Sequence, residues 1–403
     1  MELTQVKQEG STEGLLEPSD IICFANDWNS DPLSKKQIMT RLARRHRILW
    51  VNSVNIRRPQ LAKKDFRRAW QKLTDFGKGL KHVADRIWVL APIYVPFHGH
   101  KLAQQMNRRL LSWQIRRACK RLGFRAPLTW SFVPTSADVV GHLNERLILY
   151  HCVDEYAAFS DAAPEIWPRE RELLRKSDLV FVCSSPLLES KRAENLNIHL
   201  ITHGVDYEHF RRATGESTPV AEEVRHLPKP VLGFHGLLAD WVDLPLMAQL
   251  ARLRPNWSIV LVGRTDTDLS PVRGIPNIHV LGHRPYDRLP EYLRGFDVAL
   301  LPFVNNRLTQ AANPLKLREY LAAGLPVVAP PLPEIARFEG LVMLASTAEE
   351  YVQHIGRLLE SGQVGPSKQR SEKMAAEAWD CKIAEMERLT AAVLASASRS
   401  TRH

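Results

Sequence analysis

Short apolar runs rich in Val, Ile, Leu and Phe recur along the chain, separated by stretches with helical spacing. The first set is Ile21–Ala25, Ile48–Val51, Ile87–Leu90, Leu128–Phe132, Leu147–Cys152, Leu179–Cys183 and His199–Thr202. Several are apolar at every position, as a strand is when helices cover both faces of its sheet. Helical patterns lie between them over Lys35–Arg45, Lys101–Leu122 and Trp167–Lys176. From Arg211 to Lys229 the chain is polar and without periodicity, which predicts a linker. A second set of strands follows at Val231–Phe234, Ser258–Val262, Ile278–Leu281, Val298–Leu301, Val327–Ala329 and Leu341–Leu344. Helical patterns over Leu244–Leu253, Tyr286–Arg294 and Leu315–Ala323 join them, and Ser367–Leu394 reads as one or two closing helices. Alternating strands and helices predict an α/β fold with two parallel sheets, each a Rossmann-like domain, facing a central cleft. The expected division is a disordered tail over 1–18, an N-terminal domain over 19–210 and a linker over 211–229. A C-terminal domain over 230–365 follows, then helices over 366–403 that pack back toward the N-terminal domain. In such sheets ligands bind beyond the carboxyl ends of the strands.

At 403 residues, 44% hydrophobic and 25% charged, the chain can bury two cores without disulfide help. Its five cysteines, Cys23, Cys119, Cys152, Cys183 and Cys381, are scattered and show no metal-ligand spacing. They read as reduced thiols of a cytoplasmic protein. No run of 18 apolar residues is present, so no membrane-spanning helix is expected. Charge changes the picture most. From Thr40 to Arg125 there are 22 lysines and arginines against Asp65, Asp75 and Asp85, although the whole chain is only +11. That asymmetry predicts an anionic partner: an acidic membrane surface, a phosphorylated acceptor or a nucleic acid. Phe66, Trp70, Leu73 and Phe76 interleave with the charges near helical spacing, which favours the membrane.

The segment richest in chemistry is Asn313–Ala329, NPLKLREYLAAGLPVVA. Asn313 reads as an N-cap and Pro314 as the first helical residue. Gly324 and Pro326 end the helix. Free amides from Leu315 onward, together with the positive end of the helix dipole, suit a diphosphate. Lys316 adds a full charge, and Glu319, on the same helix face, can accept from both hydroxyls of a ribose. In the N-terminal half, YHCVDEY places His151 and Asp154 at the carboxyl end of a strand. Two readings stay open there: contacts to a sugar or acceptor hydroxyl, or a buried core histidine and a helix-capping aspartate. Asp27, after the first strand, is an acceptor-contact candidate. His98-x-His100 lacks a third metal ligand, and Asp266-Thr267-Asp268 directly follows a strand rather than forming a metal site. No metal and no resident cofactor are expected. No Walker, G-x-G-x-x-G or G-x-S-x-G motif occurs.

Glu319–Val328, EYLAAGLPVV, resembles the donor-binding signature of retaining GT-B glycosyltransferases of group 1 (family 4-like). His203-Gly204-Val205-Asp206 is similar to the turn that ends that family's N-terminal domain. Gly233-Phe234-His235-Gly236 and Leu261-Val262-Gly263 are similar to its two glycine-bearing strand ends. The resemblance covers about Ile21 to Leu359. It implies a metal-independent hexosyltransferase that uses a nucleotide sugar, most commonly a UDP-sugar. Glu319 would hold the ribose, and the diphosphate would sit at Asn313, Pro314, Leu315 and Lys316. Gly236 and Gly263 would admit the nucleotide, with its base near Arg264. Two departures stand out. Ala311 replaces the family's first glutamate, and the loop Leu237–Asp243 carries no cation. Lys316, Arg264, Arg284 and Arg307 are the candidates to balance the diphosphate. The departures resemble a divergent subgroup of capsule and exopolysaccharide synthesis. The implied acceptor is lipid-linked or a glycan, met at the inner membrane face by the basic N-terminal domain. A sugar-nucleotide epimerase and a basic nucleic-acid-binding protein are the competing readings. The epimerase lacks cleft carboxylates to work with, and no nucleic-acid-binding motif appears, so no nucleic-acid partner is expected.

Overall fold

Among the residues described by the computed structural model, 14–52, 79–93 and 101–400, the apolar runs form two sheets. The first contains β1 (Asp20–Ala25), β2 (Arg47–Asn52), β3 (Leu80–Ala84), β4 (Ile87–Leu90), β5 (Leu128–Ser131), β6 (Leu147–Cys152), β7 (Leu179–Val182) and β8 (Ile198–Leu200), in the order β3-β4-β2-β1-β5-β6-β7-β8. The second contains β9 (Val231–His235), β10 (Ser258–Val262), β11 (Ile278–Gly282), β12 (Val298–Leu300), β13 (Val327–Ala329) and β14 (Val342–Leu344), in the order β11-β10-β9-β12-β13-β14. Every pairing is parallel except that of β3 with β4. Central parallel strands such as β7 and β10 are buried at every residue because helices cover both faces. β3 was not foreseen. It is an edge strand, LKHVA, largely exposed, so it carries no apolar run to betray it.

In each sheet the strand order reverses once, between β1 and β5 and between β9 and β12. Reversal points open crevices at the carboxyl ends, because the flanking connections leave toward opposite faces. The two crevices belong to separate hydrophobic cores. The aperiodic stretch after β8 is not loose. Its short helical turns Tyr207–Phe210, Arg211–Thr214 and Glu222–Arg225 set Phe210, Ala213 and Val224 into the second core. The helix Trp379–Ser400 returns to the first core through Trp379, Ile383 and Met386. Its polar face pairs Asp380 with Arg44 (2.6 Å) and Glu387 with Arg45 (2.9 Å). The chain therefore crosses between the cores near Val205 and again near Ala378. The two crossings hydrogen-bond to each other, Val205 N to Glu377 O at 2.9 Å and Trp379 N to Val205 O at 3.2 Å.

The five cysteines are free, and only Cys381 is exposed. No described helix is long and apolar enough to cross a membrane. Phe66, Trp70, Leu73, Phe76, His98 and His100 lie outside the described residues, as does most of the expected N-terminal tail.

Candidate functional site

The C-terminal wall starts from two glycines. Gly263 directly follows β10 with φ +154°, and a Cβ there would lie 1.7 Å from the carbonyl oxygen of Gly236. Gly236 itself has φ +148°. No side chain fits between these strand ends, so bare backbone lines the crevice. The helix Leu315–Ala322 aims its N-terminus at the same place, with no acidic residue in its first turn. Lys316 lies across Gly236, its Cε 3.1 Å from where a Cβ would stand. Its Nζ is 3.1 Å from Glu319 Oε2. His235 Nε2 is 3.3 Å from the same oxygen. Both are ion-pair distances without hydrogen-bond geometry, and neither Glu319 Oε2 nor His235 Nε2 has a hydrogen-bond partner although both are buried. Burial, then the charges of Lys316 and His209, hold His235 well below the usual imidazole range, so it is neutral. Tyr320 ties the helix to β9 by accepting from His235 N at 2.8 Å.

Asn313 is not the cap expected of it. Pro314 occupies the N-cap position, and no side chain caps the helix. The Asn313 amide is committed elsewhere: it donates to Glu334 Oε2 (2.9 Å) and accepts from Arg318. That leaves the first-turn amides bare. Pro314 and Leu315 stand at the helix mouth, and Leu315 packs partly against the N-terminal core.

The N-terminal wall is built differently. His151, on β6, is 1% exposed and stacks on Phe132 (5.1 Å between centroids), with Phe181 at 5.7 Å and Trp130 at 6.4 Å. Neither ring nitrogen has a partner. Burial, then the charges of His203 and Lys35, bring its pKa to about 3. The ring is thus a buried neutral imidazole to which no protein group offers a hydrogen bond. Asp154 keeps some exposure, yet the surrounding protein raises its pKa to about 6 against the pull of Lys35. Asp27 turns onto its own loop, accepting from Asn29 N at 3.0 Å.

Three residues not foreseen complete the site. Lys35 is the second residue of the helix Ser34–Leu42; it is buried, and its ammonium donates to Asn26 Oδ1 (3.1 Å). Burial lowers its pKa, partly offset by Asp154. His203 Nδ1 lies 2.8 Å from Asn313 O, which forces Nδ1 to donate and leaves Nε2 a buried lone pair with no partner. His235 is the third. His203 and His235 were visible in HGVD and GFHG, but only as turn markers; Lys35 had no local signal.

The walls are joined firmly at the floor. Ser184 Oγ donates to Ala311 O (2.6 Å), and Glu334 accepts from both Ser185 N (2.8 Å) and Asn313 Nδ2. At the rim, Asp31 reaches across to Arg264 (2.8 Å) and His283 (3.0 Å), all three exposed. Of the remaining cation candidates, Arg284 is tied to Glu223 and Tyr292, and exposed Arg307 lies 3.8 Å from Glu155. Asp268 caps a turn by accepting from Ser270 N.

With this geometry in view, residues 229–361 match the family model for glycosyl transferases group 1. That match covers the second sheet and its helices, about one-third of the chain. The fold of the chain is GT-B. It superposes on sucrose-phosphate synthase from Thermosynechococcus elongatus with a TM-score of 0.68 at 15% identity, covering 94% of this chain and 100% of that one. Anabaena HepE, solved in complex with UDP-glucose, gives 0.58 at 14% identity over 95% and 99%. The catalytic domain of starch synthase IV from Arabidopsis thaliana, bound to ADP and acarbose, gives 0.63 at 11% over 94% and 100%. In sequence the chain is 26% identical over 209 residues to TuaH of Bacillus subtilis (strain 168), a putative teichuronic acid biosynthesis glycosyltransferase. That match spans 48% of this chain and about half of the relative, 52%.

Proposed function

We propose that this GT-B chain is a glycosyltransferase. It moves a sugar from a nucleoside diphosphate donor, UDP foremost, to a lipid-linked or polysaccharide acceptor in cell-surface polysaccharide synthesis. The observation that carries the reading is Glu319. Its carboxylate is buried one turn inside a helix whose bare amides and Lys316 face a glycine-cleared strand end, and Oε2 accepts no hydrogen bond although Lys316 Nζ lies 3.1 Å away. A ribose brings two hydroxyl donors to that oxygen, and a diphosphate brings charge to the amides and the ammonium. The base would lie near Arg264 at the rim. TuaH and the nucleotide complexes of the structural neighbours support the same substrate class.

The sugar then points to the N-terminal wall. His151 and the His203 lone pair would take its hydroxyls, which removes the cost of leaving buried imidazoles unpaired. In the transfer, the bond from the anomeric carbon to the diphosphate oxygen breaks and a bond to the acceptor oxygen forms. The acceptor proton passes to the leaving phosphate. Preorganised amides and Lys316 stabilise the charge that develops there, so the reading needs no metal, and it predicts retention at the anomeric carbon. Asp154 and Lys35 would orient the acceptor hydroxyl, with Asp27 at the entrance. The acceptor would be met at the inner face of a membrane.

A thermal-shift series with UDP, GDP, ADP, TDP and UDP-sugars on wild type and Glu319→Ala tests this. A nucleotide at a hundred times its Kd stabilises the wild type by about 2.7 kcal/mol, and the variant loses most of that shift. No shift with any nucleotide would sink the reading.

A further inference from the structure

The helix Lys101–Leu122 has two faces of opposite character. Asn107, Leu111, Ser112, Ile115, Ala118 and Cys119 are buried against the N-terminal core. The outer face is basic and partly apolar at once. The helix carries seven lysines and arginines and no acidic residue. Among the described residues no carboxylate pairs with Arg108, Arg109, Arg116, Lys120 or Arg121. Between these cations stand Met106, 61% exposed, and Trp113, 54% exposed, the two largest apolar side chains that the helix shows to solvent among the described residues. They are seven residues apart, two helical turns, so they share one stripe. Arg117 lies over the Trp113 ring at 5.5 Å.

A surface built only for solubility mixes both signs and hides its tryptophans. One built for nucleic acid would set its cations along a groove. Here unpaired cations flank protruding apolar side chains on a convex helix. Cations attract acidic headgroups while Trp and Met enter the boundary beneath them. We infer that the outer face of Lys101–Leu122 is a docking surface for an anionic lipid membrane, with Trp113 and Met106 inserted between headgroups.

The topology gives the surface a purpose. β4 runs parallel to β2, and β2 to β1, so its carboxyl end lies on the cleft side. The helix begins eleven residues beyond Leu90 and returns to the start of β5, so its first turns lie beside the cleft. A membrane seated there brings lipid-linked molecules to the acceptor wall. Only that purpose rests on the proposed reaction; the docking does not.

The test is co-sedimentation of the full chain with phosphatidylcholine vesicles, with and without phosphatidylglycerol, at low and high salt. The wild type binds only the anionic vesicles and is released by salt. Replacing Arg116→Gln with Arg117→Gln lowers partitioning about 30-fold, from about 1 kcal/mol per surface cation. Trp113→Ala lowers it about tenfold. The charge-matched control Arg252→Gln with Arg357→Gln, on the C-terminal domain, leaves it unchanged. Equal loss in the control, or wild-type binding by Trp113→Ala, overturns the proposal. So does a preference for duplex DNA that Trp113→Ala leaves intact. All these variants keep the nucleotide thermal shift, so failure of the docking and failure of the donor site read out separately.

Discussion

The two walls of the cleft come from the same kind of sheet end, yet they prepare for a ligand in different ways. The C-terminal wall removes side chains: Gly236 and Gly263 clear the strand ends, and helix amides with Lys316 and Glu319 supply the polarity. The N-terminal wall keeps its side chains in the crevice, with His151 lacking any hydrogen-bond partner in an aromatic box and Lys35 and Asp154 held in poor solvent. A diphosphate is recognised by short, repeated backbone geometry. A sugar and an acceptor hydroxyl need groups of particular shape from several strands. The first wall spends conformational freedom and the second spends solvation.

The sharpest way to break this contrast is to put a side chain where the C-terminal wall excludes one. In Gly263→Ala the new methyl would collide with Gly236 O at a backbone angle that disfavours any Cβ. We expect a loss of about 4 kcal/mol in urea unfolding, at the upper end for single substitutions. Gly274 is also left-handed, φ +75°, but has open space around its Cβ direction. Gly274→Ala should cost only about 1 kcal/mol. Equal losses would mean that backbone angle alone, not close approach of the strand ends, makes the crevice.

On the opposite wall the expected signature is a pH effect. The Asp154 pKa is raised to about 6, above its unfolded value, so the folded state binds the proton more tightly. That contribution to stability is complete below about pH 4 and is lost as pH rises through about 6. Asp154→Asn should remove the loss and be relatively more stable above pH 6 by up to about 3 kcal/mol. Parallel melts across pH decide this. A pH-independent difference between the two proteins would contradict it. His151 and His203, both with pKa near 3, add no step to an activity profile between about pH 5 and 8.

His151→Phe separates solvation from recognition. Phenylalanine suits the box of Phe132, Phe181 and Trp130 and deletes two unpaired nitrogens. Stability should rise by about 1 kcal/mol, while turnover falls about a hundredfold. A fall in both would make His151 a structural residue.

How far this was legible in advance follows from the same contrast. β6, β10 and β13 end where the apolar runs end, because buried parallel strands have no other composition available. The helix that carries Lys316 and Glu319 was readable because it is a local object whose three-residue spacing puts both on one face. β3 was hidden because an exposed edge strand needs no apolar pattern. Lys35 was hidden because nothing near it in sequence says that Asn26 and Asp154 will surround it; only the pairing of β1 with β5 and of β5 with β6 does. Asn313 was misassigned as a cap because residue type permits capping, while Glu334, 21 positions away, holds the amide.

The smallest effect concerns where the walls meet. At the floor Glu334 is 1% exposed; it accepts from Ser185 N across the join and from Asn313 Nδ2 on its own wall. At the rim Asp31, Arg264 and His283 are each more than one-third exposed, and such pairs contribute about 1 kcal/mol at most and weaken with salt. On the proposed function a donor enters at the rim, where the contact between the walls is weaker than at the floor. Asp31→Asn should change stability by less than about 0.5 kcal/mol. It also frees Arg264, so nucleotide association in stopped flow should quicken at low salt, and the gain over wild type should vanish at high salt. A large drop in melting temperature, or an unchanged association rate at low salt, would show that the rim contact carries the closed state rather than merely latching it.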